Sequence, residues 1–289
     1  MPPLPRIFRR ALRRLALRMA PPELVSAMDF VEARSNPVFP KRNLQVTTKL
    51  PAGSVLVLAP HPDDEIIGPG ATLAAHCEQG AQVTVLYLTD GGGIEAERQA
   101  QIDIRRAEAQ RVGQDLGLRQ VFWDELDTKL SNTPQTVARM RDLLRELQPA
   151  HIYTPSPFDT HFDHFATNQI LVDALAQASE LEPTIYGYEV WDPIPFANYL
   201  VDVSAVYGAK ERLMEHYVTP LEFTDFAALA RQRASVHFML HVSSEKERTK
   251  TGFAEAFLRF DAEAYGALFR RYVQSLNLAG SDQASHLER

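Results

Sequence analysis

The chain of 289 residues contains a single cysteine, Cys77, so no disulfide bond can form within it. No apolar run reaches the roughly 20 residues that a membrane-crossing helix needs, and no internal repeat is visible. Hydrophobic residues make up 45% of the chain and charged residues 23%, which is ordinary for a globular domain. These features predict a soluble protein in a reducing, cytoplasmic compartment.

The net charge of −7 is unevenly distributed along the chain. Residues 1–22 carry six arginines and no acidic residue, so the remainder has a net charge of −13 once those six charges are subtracted. An acidic body of this kind argues against general nucleic-acid binding, because nucleic acids are themselves strongly negative.

Residues 4–19 are predicted to form an amphipathic helix that ends at Pro21-Pro22. Its apolar side chains, Leu17 excepted, share one half of the helical wheel, and the six arginines occupy the other half. The arginines that run through it argue against a secretory signal. Two interpretations stay open. The helix contacts an anionic membrane surface on the cytoplasmic side, or it packs on its own domain or on another subunit of a homo-oligomer.

The rest of the chain is divided into a connector (23–50), one large domain (51–279) and a flexible polar tail (280–289). Buried strands are predicted at 54–59, 82–89, 120–123 and 151–154, each followed by a helix. This alternation indicates a Rossmann-like, doubly wound and mostly parallel sheet. After Leu181 the rhythm changes to a C-terminal α+β extension, with strands at 184–190 and 199–203 and helices at 205–217, 224–240 and 262–276.

The most informative stretch is His61-Pro62-Asp63-Asp64-Glu65, which directly follows the apolar run Ser54–Ala59. Open α/β sheets bind their ligands at the carboxyl ends of the strands. Histidine and aspartate are common ligands of a catalytic zinc, which typically takes three protein ligands. A third ligand must therefore come from elsewhere, and the segment from Asp159 to His164 offers His164 as the candidate.

The five-residue block, together with His161-x-x-His164 about a hundred residues later, resembles the LmbE-like, or PIG-L, family of zinc-dependent N-deacetylases. These enzymes remove an acyl group, usually acetyl, from the amine of an N-acetylglucosamine-type sugar. The resemblance runs from about Val55 to Asp202. It departs at Phe162, where proline is commoner, and at Pro69 and Ala71, where glycine is commoner; these departures concern loop shape and not ligand positions.

The resemblance implies a role for each residue of the site. His61, Asp64 and His164 would bind Zn²⁺, with Fe²⁺ or another divalent ion as the alternative. Asp63 would be the general base, and His161 would lie beside the metal and stabilise the oxyanion. The resemblance also implies that two further residues, Arg105 and Asp127, bind an N-acetylated sugar or glycoconjugate.

Each of these residues also has a structural interpretation. Asp63 is suited to cap a helix N-terminus. Arg105 and Glu108 have the spacing of an ordinary surface pair on a helix. Asp127 is suited to cap a loop, and Trp191 fits a buried core position as well as a surface that stacks on a sugar ring.

Three alternatives to a sugar deacetylase remain open at this point. One is an amidase of the same chemistry that acts on another acyl group or on a thiol-sugar conjugate. Another is a Rossmann-type nucleotide-binding protein, although the turn after the first strand lacks G-x-G-x-x-G and its two acids would repel a pyrophosphate. The third is a non-catalytic scaffold, against which the intact His61, Asp63, Asp64 and His164 argue.

Overall fold

The computed structural model describes residues 44–93, 98–194, 196–221, 224–243 and 251–279. The predicted helix over 4–19, most of the predicted connector and the tail over 280–289 lie outside these ranges. So do residues 94–97, where the helix after the second predicted strand was expected to begin. Within the described ranges, no helix is both long and apolar enough to cross a membrane.

The described strands form one sheet in the order β1-β7-β8-β6-β5-β2-β3-β4. All neighbouring strands are parallel except at β8, which is antiparallel to both β6 and β7. The strands are β1 (Gln45–Thr47), β2 (Val55–Ala59), β3 (Val83–Thr89), β4 (Arg119–Glu125), β5 (His151–Pro155), β6 (Thr184–Tyr188), β7 (Tyr199–Asp202) and β8 (Ala254–Asp261).

Helices cover both faces of the sheet. They are α1 (Asp64–Ile67), α2 (Gly70–Glu78), α3 (Arg98–Leu116), α4 (Pro134–Leu147), α5 (Phe162–Ala176), α6 (Tyr207–Met214), α7 (Val218–Leu221), α8 (Phe226–His237) and α9 (Ala262–Ala279). A short π-helix, Phe238–Val242, continues directly from α8.

Alternate side chains of the central strand β2 enter two separate cores. Val55, Val57 and Ala59 join one cluster, which includes residues of α1, α2, α6 and α8. Leu56 and Leu58 join the other, which includes residues of α4, α5 and α9. A strand buried on both faces is the reason the sequence shows a continuous apolar run there, and the predicted doubly wound α/β fold is confirmed.

The structure departs from the prediction in two strands and one helix. Strand β1 lies in the predicted connector, and its three residues are too short and exposed a segment to be recognised. Strand β8 begins Ala-Glu-Ala, residues that favour helices, and its strand conformation follows from its buried place between β6 and β7. The single helix predicted from the end of the motif to Gln79 is interrupted at Gly68-Pro69, because proline has no backbone N–H to continue it.

Candidate active site

The predicted site residues converge at the carboxyl edge of the sheet. The motif His61–Glu65 follows β2, Asp127 follows β4, and the segment Asp159–His164 follows β5 and continues into α5. Parallel strands end at the same edge, so these three turns come together although they are about a hundred residues apart in sequence. Helix α5 begins at Phe162, two residues before the predicted start, with His161 as its N-cap.

The three predicted metal ligands lie close together. Asp64 Oδ2 is 3.2 Å from His61 Nδ1 and 3.3 Å from His164 Nε2. In a tetrahedral site with bonds of about 2.1 Å, ligand atoms are about 3.4 Å apart. Within the described residues, neither ring nitrogen of the buried His164 has a hydrogen bond of good geometry. These residues therefore fit a bound divalent ion.

A carboxylate supports the second nitrogen of each of these histidines. His61 Nε2 is 3.0 Å from Asp163 Oδ2 and 3.3 Å from Asp127 Oδ1. His164 Nδ1 is 3.2 Å from Asp159 Oδ1. Carboxylates in this position orient metal-binding histidines and fix their tautomer. The sequence suggested an orienting role for Asp163 but none for Asp159, which four acidic or histidine neighbours in its own segment made difficult to single out.

The charge balance of the site favours a cation. Burial alone would lower the pKa of His61, but the carboxylates of Asp127, Asp163 and Asp64 outweigh it and raise that pKa well above its usual value. Burial would raise the pKa of Asp64, but His164 and His61 hold it well below its usual range. Five buried acids thus surround the two histidines: Asp63, Asp64, Asp127, Asp159 and Asp163.

Asp63 differs from its neighbour Asp64 in both backbone and side chain. Its φ is +147°, a conformation that L-residues rarely adopt and that accumulates at functional sites. Its Oδ2 accepts a hydrogen bond from Arg105 Nη2 at 2.8 Å. It precedes α1 but makes no side-chain cap hydrogen bond, so the helix-cap interpretation is wrong. Burial, opposed by the nearby Arg105 charge, raises the pKa of Asp63 to about 7.

Glu65 holds the strained backbone of Asp63 in place. Its Oε2 accepts the Asp63 backbone N–H at 3.1 Å, and its Oε1 accepts the hydroxyls of Tyr87 and Tyr217. Burial raises the pKa of Glu65 to about 8. The predicted structural role of this residue, hydrogen bonding at the start of the helix, agrees with these contacts.

Arg105 and Glu108 are both buried on α3, so the surface-pair interpretation is wrong. Arg105 contacts the Asp63 carboxylate and also donates to the backbone carbonyl of Pro62 at 3.1 Å. Glu108 accepts the backbone N–H groups of Val218 and Thr219 at 3.1 and 3.2 Å. Helix α3 therefore positions the predicted base on one side and the start of α7 on the other.

The glycine-rich turn Asp90–Gly93 packs against the motif. Gly91 has φ +67°, and a Cβ there would be 2.9 Å from the Pro62 ring, so this position requires glycine. The Gly93 backbone N–H donates to Asp127 Oδ2 at 2.9 Å. Asp127 therefore caps this loop and approaches His61 at the same time. Its predicted contact with substrate stays a prediction.

His161 has a defined tautomer at the edge of the site. Its Nδ1 accepts the backbone N–H of Asp163 at 3.2 Å, which leaves the hydrogen on Nε2. Burial lowers the pKa of His161 to about 4, and the neighbouring His61 and His164 lower it further. A neutral donor is therefore favoured over the cationic form.

A cavity of about 570 Å³ opens above these groups. Among its lining residues are His61, Asp63, Asp64, Arg105 and Asp127, as well as His161, Trp191 and Phe226. Trp191 is 44% exposed, so the buried-core interpretation of this residue is wrong. A pocket of this size is typical of small-molecule sites.

Fold and site together define a doubly wound α/β protein with a candidate histidine–carboxylate metal site at the carboxyl edge of its sheet. Residues 56–175 match the family described as PIG-L: GlcNAc-PI de-N-acetylase. The chain belongs to this zinc-dependent family, also called LmbE-like, as its motifs predicted.

Similar proteins include a diacetylchitobiose deacetylase of Thermococcus kodakarensis, 29% identical over 55% of this chain and 66% of that protein. They also include a 4-oxalmesaconate hydratase of Pseudomonas putida, 26% identical over 58% of this chain and 78% of the relative. The aligned part thus spans about two thirds or more of these relatives. The solved N,N'-diacetylchitobiose deacetylase of Pyrococcus horikoshii has the same fold, with a TM-score of 0.61, 23% identity, and coverage of 82% of this chain and 94% of that one.

Proposed function

We propose that this protein is a metal-dependent hydrolase that removes the N-acetyl group from an N-acetylglucosamine-type sugar or glycoconjugate. The observation that carries the proposal is the cluster of His61, Asp64 and His164, with the separate carboxylate of Asp63 beside it in one cavity. The family and the deacetylase among its relatives support the reaction class.

His61, Asp64 and His164 would hold the ion, and Zn²⁺ suits a set of two imidazoles and one carboxylate. Fe²⁺ or another divalent ion is the alternative, since the same donors also suit other transition metals. When bound, such an ion supplies Lewis-acid activation of a carbonyl and of a water molecule.

Asp63 is the proposed general base of the reaction. It takes a proton as water attacks the amide carbonyl, and it returns that proton to the nitrogen as the C–N bond breaks, which releases acetate and a free amine. Arg105 keeps the Asp63 carboxylate in one orientation through its 2.8 Å contact. The protonation of the leaving nitrogen matters because an amide anion is a poor leaving group.

His161 is the proposed donor to the developing oxyanion. Its Nδ1 is occupied by the Asp163 backbone N–H, so the Nε2–H is the hydrogen that it can donate. A donor of this kind, fixed before the reaction, stabilises the transition state by about 3–4 kcal/mol.

The hydratase among the relatives raises a second candidate, the addition of water to a carbon–carbon double bond. The relative's name indicates a polycarboxylate substrate, which needs cationic side chains. Of the described residues that line this cavity, Arg105 is the only lysine or arginine, and Asp63 already contacts it. The charges of the cavity therefore favour an uncharged amide over a polycarboxylate. An amidase acting on a different acyl group would share this chemistry.

The test is acetate release from a panel of N-acetylglucosamine derivatives, before and after removal of metal. We expect release that is lost on chelation and restored by Zn²⁺ or another divalent ion. The same protein is then assayed for hydration of 4-oxalmesaconate. Acetate release that continues after confirmed loss of metal would refute the mechanism, and hydration without any acetate release would replace it with the second candidate.

We further propose that residues 4–19, outside the described structure, contact the anionic inner face of a cytoplasmic membrane and leave the catalytic domain free. The division of apolar residues and arginines between the two halves of the helical wheel supports this. Packing of the same helix on a second subunit is the alternative.

A further inference from the structure

Exposed apolar side chains are concentrated around the cavity. Ten large apolar side chains of the described residues are exposed. Five of these either line the cavity or directly adjoin in sequence a residue that lines it. We call this group the apolar rim; it consists of Ile104, Leu126, Phe162, Trp191 and Val218, which are 44–61% exposed. Contiguous exposed apolar surface next to a site is typical of a ligand-binding region.

Two members of the apolar rim are presented on fixed supports. Ile104 lies on α3 with Gln101 and Arg105, which line the cavity three residues before it and one residue after it, so all three share a helix face. The Trp191 backbone N–H donates to Asp159 Oδ2 at 3.0 Å, and its carbonyl accepts from Arg233 at 2.7 Å. Trp191 is therefore held by its backbone and still leaves its ring exposed.

The inner wall of the cavity continues this apolar character. Ile67, Val190, Pro220 and Phe226 line it, and the Trp191 ring meets the Phe226 ring edge-on at 5.0 Å. The polar groups of the site lie on the opposite side, around His61. One end of a bound molecule would thus meet the polar site, and the other end would meet carbon.

The charge of the cavity excludes an anionic group at that other end. Asp63, Asp64 and Asp127 line the cavity, and Arg105, its only described lysine or arginine, is engaged by Asp63. A phosphate or carboxylate on the substrate would meet these carboxylates without a free partner, which is unfavourable at short range in a buried site.

We propose that the substrate is an acylated amino sugar that carries an uncharged apolar substituent, an alkyl or aryl group, and that the apolar rim binds this substituent. The proposal rests on the proposed deacetylase function and names the class of conjugate on which it acts. It separates this chain from enzymes that act on free, phosphorylated or carboxylated sugars.

The test compares kcat/KM for three substrates below the micellar concentration: free N-acetylglucosamine, its octyl or phenyl glycoside, and its 1-phosphate. Burial of an alkyl or aryl group predicts at least about a tenfold higher kcat/KM for the glycoside, mainly through KM. The 1-phosphate should be no better than the free sugar. Equal values for the glycoside and the free sugar, or a preference for the phosphate, would overturn the proposal.

Binding of the same compounds to metal-loaded Asp63→Asn protein, measured by calorimetry, separates this proposal from the deacetylase function. Tighter binding of the glycoside without acetate release from the unmodified protein would support the rim and refute the function. Equal binding of the glycoside and the free sugar would overturn the rim proposal whatever the turnover.

Variants assign the effect to the apolar rim. Trp191→Ser and Phe162→Ser should reduce the preference for the glycoside over the free sugar about fivefold or more. Leu276→Ser, which removes an exposed apolar side chain of α9 that does not line the cavity, should leave the preference unchanged. An unchanged preference in the two rim variants, with weaker sedimentation on neutral phosphatidylcholine vesicles, would assign the rim to a lipid surface and overturn the proposal.

Discussion

At the scale of single residues, Asp63 and Asp64 are adjacent in sequence but have different partners. Asp64 Oδ2 lies between His61 and His164, whereas Asp63 Oδ2 contacts Arg105. The unusual φ of Asp63 turns the chain between them, and Glu65 holds that turn through the Asp63 backbone N–H. This geometry favours a division of labour in which one carboxylate binds metal and the other moves protons.

Substitution of each carboxylate by its amide should therefore give different defects. Asp63→Asn should retain metal and lose about 10²–10⁴-fold in turnover, because the general base is gone. Asp64→Asn should lose metal affinity first, because a neutral amide is a poorer ligand, and excess Zn²⁺ should restore part of its activity. Metal content and acetate release are measured for both variants across a Zn²⁺ titration. A metal-free Asp63→Asn that zinc rescues would reverse the assignment.

At the scale of elements, the break between α1 and α2 depends on distant parts of the chain. Lys210 of α6 donates to the carbonyls of Ile67 and Gly68 and to Glu255 of β8, each at 2.8 Å. Glu255 in turn accepts the backbone N–H groups of Ala71 and Thr72 at 3.0 and 2.8 Å. One buried ion pair thus satisfies the end of one helix and the start of the next.

Removal of one partner of this pair should destabilise the fold. Lys210→Met should lower the free energy of unfolding by about 3–5 kcal/mol, because it leaves the buried Glu255 carboxylate without its cation. The double variant with Glu255→Gln should lose less than the sum of the single losses. Urea denaturation measures all three, with Arg145→Met, which breaks an exposed pair with Glu180, as the control that changes stability little. Additive losses would show that the two groups act independently.

The sequence predicted the elements whose signal is local and missed those that depend on tertiary contacts. His61–Glu65 was recognisable because it directly follows the apolar strand β2, and α4 was predicted with its observed bounds because Pro134 starts it and Pro149 follows it. Glu255 and Asp159 carried no local signal, since their roles arise only when β8 enters the sheet and when the β5 turn meets Trp191. The metal site was therefore more predictable than the residues that support it.

At the scale of the whole molecule, the two edges of the sheet respond differently to protons. At the amino edge, opposite the site, His76 of α2 is 1% exposed and its Nε2 lies 2.9 Å from the Tyr153 hydroxyl of β5. Burial, with a smaller contribution from His151, lowers the pKa of His76 to about 4. This histidine stays neutral in the folded protein at a pH where an unfolded chain would bind a proton.

His76 should therefore make the protein less stable in acid. The unfolded state binds more protons than the folded state between about pH 6.5 and pH 4, so the free energy of unfolding falls as the pH is lowered through this window. The full loss is about 3 kcal/mol. His76→Gln should remove this part of the pH dependence, so that its stability approaches that of the unmodified protein as the pH falls. Urea denaturation at several pH values tests this, and parallel stability curves would contradict it.

The basic N-terminal segment offers a separate test of membrane contact. Deletion of residues 1–22 should leave acetate release from a soluble substrate intact and weaken co-sedimentation with anionic liposomes, because it removes six arginines and one apolar face. Equal co-sedimentation of the full-length and truncated proteins would indicate that the segment packs on protein instead.

The contacts of Glu255 also have a consequence for synthesis on the ribosome. The motif His61–Glu65 emerges early, but the helix break that follows it acquires its capping carboxylate only when residue 255 has been made and β8 has entered the sheet between β6 and β7. A nascent chain therefore exposes the predicted ligands for most of translation without a finished fold around them. Chains stalled before residue 254 should remain sensitive to protease around the motif, and the site should become protected only near the end of synthesis.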